Sequence, residues 1–584
     1  MRSAADAVSR RVLLATHFGD GSHFAAACAA RAGALHYLCL CERVPPAPSG
    51  AQHAALRAQW PTDVPGWHRL TLDDGAVTLD LLVGAQHESL AQLDARIDAF
   101  YVPATGELPP LRALARLALP GATLLLARGR PIDFKALRSA GFEWPDDAEE
   151  GDLAAVYTSR KPQPPRPASP VRQAIVIGAG VAGAAACERL AARGWDVTLV
   201  ERHGGPAEEA SGNRAGIFMP LLSKDDNIPT RLSRAAYLYA LRRWRSLGGF
   251  AVPDSAGAIA GDQCGVLQLA RDAAHAQVQR DVAAHWNYPD EYVRWLDAPA
   301  ASAVLGAPTP HGGWLFAQGG WATPASVCRA MLDACGARLR RLYHSEALRL
   351  ERDGDAWRVL GDGGAVIARG PNVIVANGAG ALSLAHTAAL PLATMRGQVT
   401  HLAAADFPHL PLVVCREAYM TPVVDGIVCV GATYESDGER ALRDASQQEN
   451  LARARDILPG SVRGAPPLAG RVGFRCMAPD RLPLVGALPD DGVADGVAGC
   501  LAGRLERLRD VPRHPGLYSL LGYASRGLIW APLAAEVLAS QLEHEPPPLE
   551  STLLAALDPA RFHLKSRRRP TPTPPPTVVS GTDM

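Results

Sequence analysis

The 584-residue chain carries no net charge, no paired-cysteine motif and no apolar run of membrane length. Each absence removes a class of function. Lys plus Arg and Asp plus Glu both total 59, so the overall balance does not draw the protein to nucleic acid. Any RNA contact must come from a local basic patch. The eleven cysteines are scattered, with no Cys-x-x-Cys and no Cys/His cluster at zinc spacing, so no metal site is expected. The closest pair, Cys39 and Cys41, alternates along LHYLCLCE and reads as two small residues buried on one strand face. Reduced thiols of this kind fit the cytoplasm. No stretch approaches the ~18 continuous apolar residues of a membrane span. The VLLA run after Arg10 and Arg11 is too short for a signal-peptide core, so neither membrane association nor export is expected. There is no internal repeat. With 48% apolar and 20% charged residues, what remains is an ordinary globular composition, long enough for several domains.

The segment KPQPPRPASP marks a boundary, and residues 161–172 read as a proline-rich linker. Before it, residues 1–160 read as a small α/β unit. RVLLA is a strand, HFGDGSHF a glycine turn, FAAACAARAG a helix, and LHYLCLCE a second strand ending at Glu42. HRLTLDDGAVTLDLLVG reads as a hairpin about Asp74 and Gly75, and GATLLLAR as a further strand. Alternating strands and helices predict a doubly wound, Rossmann-like sheet. At the other end, residues 563–584 are basic and then proline-rich, and are expected to be disordered.

The most informative stretch is AIVIGAGVAGAAACERLAARGWDVTLVER. Gly178, Gly180 and Gly183 fit G-x-G-x-x-G between a buried strand and a helix, and Glu201 ends the next strand. Gly178 permits the tight turn, Gly180 lets backbone approach a pyrophosphate, and Gly183 lets helix and strand pack closely. The helix N-terminus offers free N–H groups and about half a positive charge to an anion. Glu201 can accept from both adenosine ribose hydroxyls and would repel a 2′-phosphate. Further on stand ASGNRAG with Ser211 and Asn213, VIVANGAGA with Gly378, GFRCMAPDRLPLVG with Arg475, and GYASRGLIWAPLAAEVLA with Arg526 and Gly527. In this order the four segments resemble the glycine/D-amino-acid oxidase superfamily of flavoproteins. That likeness implies a two-subdomain FAD-binding fold over residues 173–562, with Ser211, Asn213, Gly378, Arg526 and Gly527 lining the cofactor and a substrate subdomain inserted between them.

A closer resemblance is carried by EEASGNRAGIFMPLLSKDDN, QGGWATPASVCRAML, RGQVTHL, GYASRGLIWAPLAAEVLA and AQWPTDVPGWHRLTLDDGAVTLDLLVG. These look like the family of bifunctional tRNA 5-methylaminomethyl-2-thiouridine biosynthesis proteins. The resemblance implies FAD-dependent removal of the carboxymethyl group from 5-carboxymethylaminomethyl-uridine at the wobble position of the tRNA anticodon. It also implies methylation of the freed amine with S-adenosylmethionine by the N-terminal half. Arg475 is implied as the cation for the substrate's glycine-like carboxylate, with Arg396 of RGQ as a second candidate. The N-terminal half departs from the family. Thr16 and His17 stand where an acid should precede a Gly-Phe-Gly-x-Gly-like turn, although Gly19, Gly21 and Glu42 remain. Val102-Pro103-Ala104 stands where an Asp-Gly-Phe-Ala-Pro loop should supply the catalytic carboxylate, and Asp98 lies too early in the strand to replace it. A degenerate methyltransferase half is therefore expected. An alternative is a small-molecule glycine or amine oxidase on the same fold. The Arg- and aromatic-rich stretch RLSRAAYLYALRRWR, residues 231–245, is a candidate basic rim for tRNA. His401 and Tyr434 are carried without an assigned role.

Overall fold

The computed structural model describes residues 10–49, 53–104, 106–128, 133–144, 153–158, 171–250, 259–462, 467–490, 492 and 507–568. Most of the expected linker, residues 161–170, lies outside them. The chain forms two compact units. The first comprises Met1–Val171 together with Ala539–Leu554, and the second Arg172–Leu538 with Ala555–Met584.

The first unit is built on an eight-stranded sheet. Strands β1 (Arg11–Ala15), β2 (Leu35–Cys41), β4 (Val77–Val83), β5 (Ile97–Val102) and β6 (Ala118–Leu126) run parallel, in the spatial order β4-β2-β1-β5-β6. Antiparallel β3 (Gly66–Leu72) flanks one edge and β8 (Leu153–Tyr157) with β7 (Phe142–Glu143) the other. The β3–β4 hairpin turns at Asp73–Gly75, where Asp74 and Gly75 have φ of 51° and 92°. All seven residues of β2 are buried, because helices cover both faces of a parallel sheet. Cys39 and Cys41 share one face, as their spacing predicts, with Sγ atoms 3.7 Å apart. The strand order reverses at β1, which pairs with β2 on one side and β5 on the other. A ligand crevice belongs at the carboxyl end of such a strand.

This unit also holds a fully buried polar cluster. Arg69 Nε and Nη2 donate to the two carboxylate oxygens of Asp80 at 2.8 and 2.6 Å, and His36 Nε2 lies 2.8 Å from Asp80 Oδ2. The same guanidinium donates to Ser540 Oγ at 2.8 Å and to the Pro546 carbonyl at 2.6 Å. Glu545 pairs with Arg10 at 2.9 Å, and Gln92 Oε1 accepts from Ser551 and Thr552. The segment Ala539–Leu554, expected in the flavin domain, thus belongs by its contacts to the first unit.

The second unit opens with β9 (Gln173–Ile177), the helix Val181–Ala191 and β10 (Asp196–Val200). Its six-stranded sheet runs Leu339–Leu342, β10, β9, Asn372–Val375, Arg513–Leu521, Leu484–Pro489. All but the last strand are parallel. The order again reverses at a first strand followed by a glycine turn. A separate eight-stranded sheet forms the inserted subdomain. Its last three strands are Ile427–Gly431, Ala393–Ala403 and Ala469–Met477. The helix Asp444–Ile457 covers one face, where Asn450 Nδ2 donates to the Gln398 carbonyl and Thr400 Oγ1.

Two expectations fail here. Residues 231–245 form no basic rim. They lie in the helix Ile228–Ser246, which is buried on nearly every side, with Tyr237 and Trp244 fully enclosed. Two of its arginines are ion-paired, Arg234 with Asp226 at 2.7 Å and Arg243 with Glu188. The C-terminal tail, expected to be disordered from 563, is helical over Arg561–Arg568, and residues 569–584 lie outside the described set. Among the described residues no helix is long and apolar enough to cross a membrane, and no group of three His, Cys, Asp or Glu could hold a metal ion.

Candidate functional site

The glycine turn after β9 has the shape of a dinucleotide cradle. A Cβ on Gly183 would lie 1.8 Å from the Gly178 carbonyl oxygen, so the helix can approach the strand only without a side chain there. Gly178 has φ of 103°, and a Cβ would lie 2.7 Å from Asn377 Cα on the neighbouring crossover. Gly180 caps the helix in extended conformation, leaving its amino end open. Ser211 Oγ accepts from Val181 N at 3.2 Å, which places the Ser211–Asn213 turn against that end. Glu201 is 9% exposed and accepts from Ala179 N at 2.7 Å and His203 N at 2.9 Å. Each carboxylate oxygen keeps a lone pair for a ribose hydroxyl. Gly378 opens the turn after Asn372–Val375 with φ of 56°, and Gly527 begins the helix Gly527–Leu542 in van der Waals reach of Val181. The residues present therefore fit FAD.

The eight-stranded sheet supplies a cluster of cations. Arg475 projects from Ala469–Met477 across Gly397 of the neighbouring strand; a Cβ on Gly397 would meet its Nη1 at 2.1 Å. It donates to the Thr433 carbonyl at 3.0 Å and stacks 4.2 Å from the Tyr434 ring centroid. The Tyr434 hydroxyl lies 2.8 Å from Ser525 Oγ, next to Arg526. Arg526 donates only a long 3.4 Å bond to the Met219 carbonyl. Burial lowers its pKa, with Tyr434 and Cys415 acting in the opposite direction. Among the described residues no carboxylate pairs with either guanidinium. Asp480, the obvious structural partner for Arg475, pairs instead with Arg561 at 2.9 Å.

Arg396 is not part of this group. It is fully buried on the opposite face of its strand, and its donors are spent on Glu435 Oε2 at 2.6 Å, Gln398 Oε1 at 3.0 Å and the carbonyls of Glu439 and Ala441 at 2.7 Å each. Strand alternation explains the correction: in RGQ, the glycine faces the site and the arginine faces away. Arg526, read from the sequence as lining the cofactor, stands instead beside Tyr434 as a second cation with no carboxylate partner among the described residues. The signal was available in Tyr-Ala-Ser-Arg-Gly, where a charged side chain immediately precedes a buried helix start.

Residues 173–541 match the family of FAD dependent oxidoreductases. Over 538 residues the chain is 43% identical to the tRNA 5-methylaminomethyl-2-thiouridine biosynthesis bifunctional protein MnmC of Burkholderia multivorans, covering 88% of this chain and 80% of that one. With the Burkholderia ambifaria counterpart identity is 42% over 599 residues, covering 95% and 90%. The chain belongs to this bifunctional family. Its second unit is an FAD-dependent oxidoreductase. Glycine oxidase from Geobacillus kaustophilus shares its fold, with a TM-score of 0.53 at 21% identity over 67% of this chain and 99% of that one. So does iminodiacetate oxidase from Chelativorans sp. BNC1, with a TM-score of 0.51 at 24% identity over 64% and 96%.

The family implies S-adenosylmethionine for the first unit, and here the residues do not fit methyl transfer. Thr16 is buried, its N–H donating to the Tyr101 carbonyl at 3.0 Å, and no acid closes β1. The turn keeps its left-handed Gly19 and Gly21, but aromatic side chains pack around it. A Cβ on Gly21 would touch Phe18 and Pro48 at 3.1 and 3.2 Å. Phe18 packs between Phe24 and Trp60, and the His23 ring stacks on Tyr101 at 3.6 Å with Nδ1 2.8 Å from the Tyr37 hydroxyl. Glu42 is exposed beyond β2. Asp98 accepts from Val12 N at 2.7 Å at the start of β5, and Val102-Pro103 at its end supply no carboxylate.

Proposed function

We propose that the second unit oxidatively removes the carboxymethyl group of 5-carboxymethylaminomethyl-uridine at the tRNA wobble position, leaving aminomethyl-uridine. We propose further that the first unit does not methylate that product. The reading assigns the cofactor to Gly178, Gly180, Gly183, Glu201, Ser211, Asn213, Gly378 and Gly527, and the substrate carboxylate to Arg475 and Arg526. Its substrate would be met in the cytoplasm, through the anticodon region of tRNA.

The modified base carries an N-substituted glycine, the same N–CH2–carboxylate unit that an amino-acid oxidase handles. FAD, when bound, supplies the two-electron acceptor for a C–H bond of that unit. The chain must hold the carboxylate, orient the CH2 and admit water. The carrying observation is the pair of guanidiniums, Arg475 and Arg526, that flank Tyr434 with no carboxylate partner among the described residues. Charge-assisted bonds from such groups contribute roughly 1.5–3 kcal/mol each, and a guanidinium can grip a carboxylate bidentately. The oxidised substrate is an imine, which water splits into glyoxylate and the primary amine. No protein nucleophile is required.

The test is mass spectrometry of nucleosides from tRNA bearing 5-carboxymethylaminomethyl-uridine, incubated with the full-length protein with and without S-adenosylmethionine. Aminomethyl-uridine accumulating under both conditions supports the reading. Methylaminomethyl-uridine in the second overturns the assignment of the first unit. No change in either, with turnover of free glycine or sarcosine, replaces tRNA by a small amine as the substrate.

A further inference from the structure

The face of the sheet that presents Arg475 carries a second group of basic side chains that the oxidation does not use. Arg471 stands four residues earlier on the same strand, so both side chains fall on one face. Across the ladder Arg471 faces Val399, and His401 faces Ala469, which makes His401 the diagonal neighbour of Arg471. On its other side His401 is in register with Cys429. The segment Arg214–Ala215 lies over this spot, with Ala215 packed among Val399, Cys429 and Ala432. Arg214, His401 and Arg471 therefore converge.

Among the described residues, none of the three has a committed anion. Arg471 reaches across Gly212, where a Cβ would meet Nη2 at 2.3 Å, and its donors go to neutral oxygens: the Glu208 and Glu209 carbonyls at 2.8 and 2.5 Å and Asn213 Oδ1 at 3.3 Å. Burial lowers its pKa, and the nearby acids Glu209 and Glu208 act in the opposite direction. Glu209 is itself engaged by Arg202 and by His203 at 3.1 Å. Arg214 is exposed, and among the described residues no carboxylate pairs with it. His401 is 8% exposed, and among the described residues its buried Nε2 has no hydrogen-bond partner. A buried polar atom left in that state calls for an explanation. Burial, then Arg214 and Arg471, hold the His401 pKa below its ordinary value.

We infer that Arg214, His401 and Arg471 form a phosphate subsite, which holds a backbone phosphodiester of the polynucleotide whose modified base enters the flavin site. The inference rests on the tRNA reading above. Four steps along the strand set Arg471 about 13 Å from Arg475, room for a base and ribose between a carboxylate at one end and a phosphate at the other. A phosphate fits all three groups: two guanidiniums donate to its oxygens, and the imidazole supplies a third N–H.

The experiment uses the FAD-loaded full chain, with tRNA bearing the modified uridine and with the corresponding free nucleoside. The variants are Arg214→Gln and His401→Gln; Arg471 is left intact because it also steadies the Ser211–Asn213 turn. Each variant should raise KM for tRNA about tenfold, leave kcat and the KM for the nucleoside unchanged, and keep a full complement of FAD. The salt dependence of the tRNA KM should weaken by about one phosphate contact in Arg214→Gln. An unchanged tRNA KM overturns the subsite. An equal rise for the nucleoside assigns these groups to the carboxylate site instead, and loss of FAD assigns them to the cofactor; either outcome overturns it as well. If the wild-type protein oxidises neither tRNA nor nucleoside, it is the tRNA reading that has failed, and the variants are not reached.

Discussion

The chain contains the same local device twice: a parallel strand, a glycine turn and a helix at the point where the strand order of a sheet reverses. In the second unit every part has the shape a dinucleotide site requires. Gly183 is demanded by a backbone oxygen that a Cβ would meet at 1.8 Å, Glu201 is anchored by two backbone N–H groups, and the helix end stays open. In the first unit a Cβ on Gly19 would meet nothing within 4 Å, Glu42 is exposed, and aromatic rings crowd the turn. Topology offers a crevice in both places. The carboxylates and the close packing around the turn decide whether the crevice is a site.

The largest effect that sharpens this contrast is expected from Gly183→Ala. The added Cβ cannot coexist with the Gly178 carbonyl, so the turn must open and the purified protein should be colourless, without the flavin absorbance of the wild type. Retention of stoichiometric flavin would show that the packing is looser than the contact demands. Next come the two arginines. Arg475→Ala should raise KM for the modified tRNA by roughly 10- to 100-fold with FAD retained. Arg396→Ala should instead destabilise the fold by about 1–3 kcal/mol, because the Glu439 and Ala441 carbonyls lose their donor while Glu435 keeps Arg443 and Ser446. Denaturant melts and steady-state kinetics on both variants separate the roles, and similar behaviour of the two would erase the distinction.

Acid should then act on the first unit through its buried cluster. Burial lowers the His36 pKa from its ordinary 6.5, while Asp80, although burial raises it, is held below its ordinary 3.8 by Arg69 and His36. Both folded-state values are depressed, so both contributions to stability are present at neutral pH. That of His36 is lost as pH falls below 6.5, and that of Asp80 as it falls below 3.8. The thermal transition of this unit should fall monotonically through that window. In His36→Gln the upper part of the decline should vanish. The smallest effect belongs to Gly19→Ala, which should cost only the left-handed backbone, about 1 kcal/mol, with no change in flavin content or oxidation kinetics.

Much of the flavin turn was legible because its signals are local. Gly178, Gly180, Gly183 and Glu201 sit within one strand–helix–strand unit whose spacing is set by backbone geometry. The hairpin at Asp74 and Gly75 was legible for the same reason. Arg396 and Arg475 could not be told apart, because each lies in a glycine-flanked strand and only the parity of residues relative to the sheet face decides which one points at the site. Residues 231–245 misled because the helix is enclosed by tertiary packing, which also brings Glu188 to Arg243 from 55 positions away. The convergence of Arg214, His401 and Arg471 depends on ladder register, which no local pattern carries.

The guanidinium of Arg69 closes on Ser540 and Pro546, so a unit that begins with the chain's first strand is finished by residues near its other end. Arg69 and Ser540 are 471 positions apart. At roughly 5–20 residues per second of synthesis, the first unit waits from about 25 to about 95 s for its closing segment. It completes its fold only after the whole flavin-binding sheet has been made, and a nascent chain that stops short of that segment leaves the buried Arg69 guanidinium without Ser540 and Pro546.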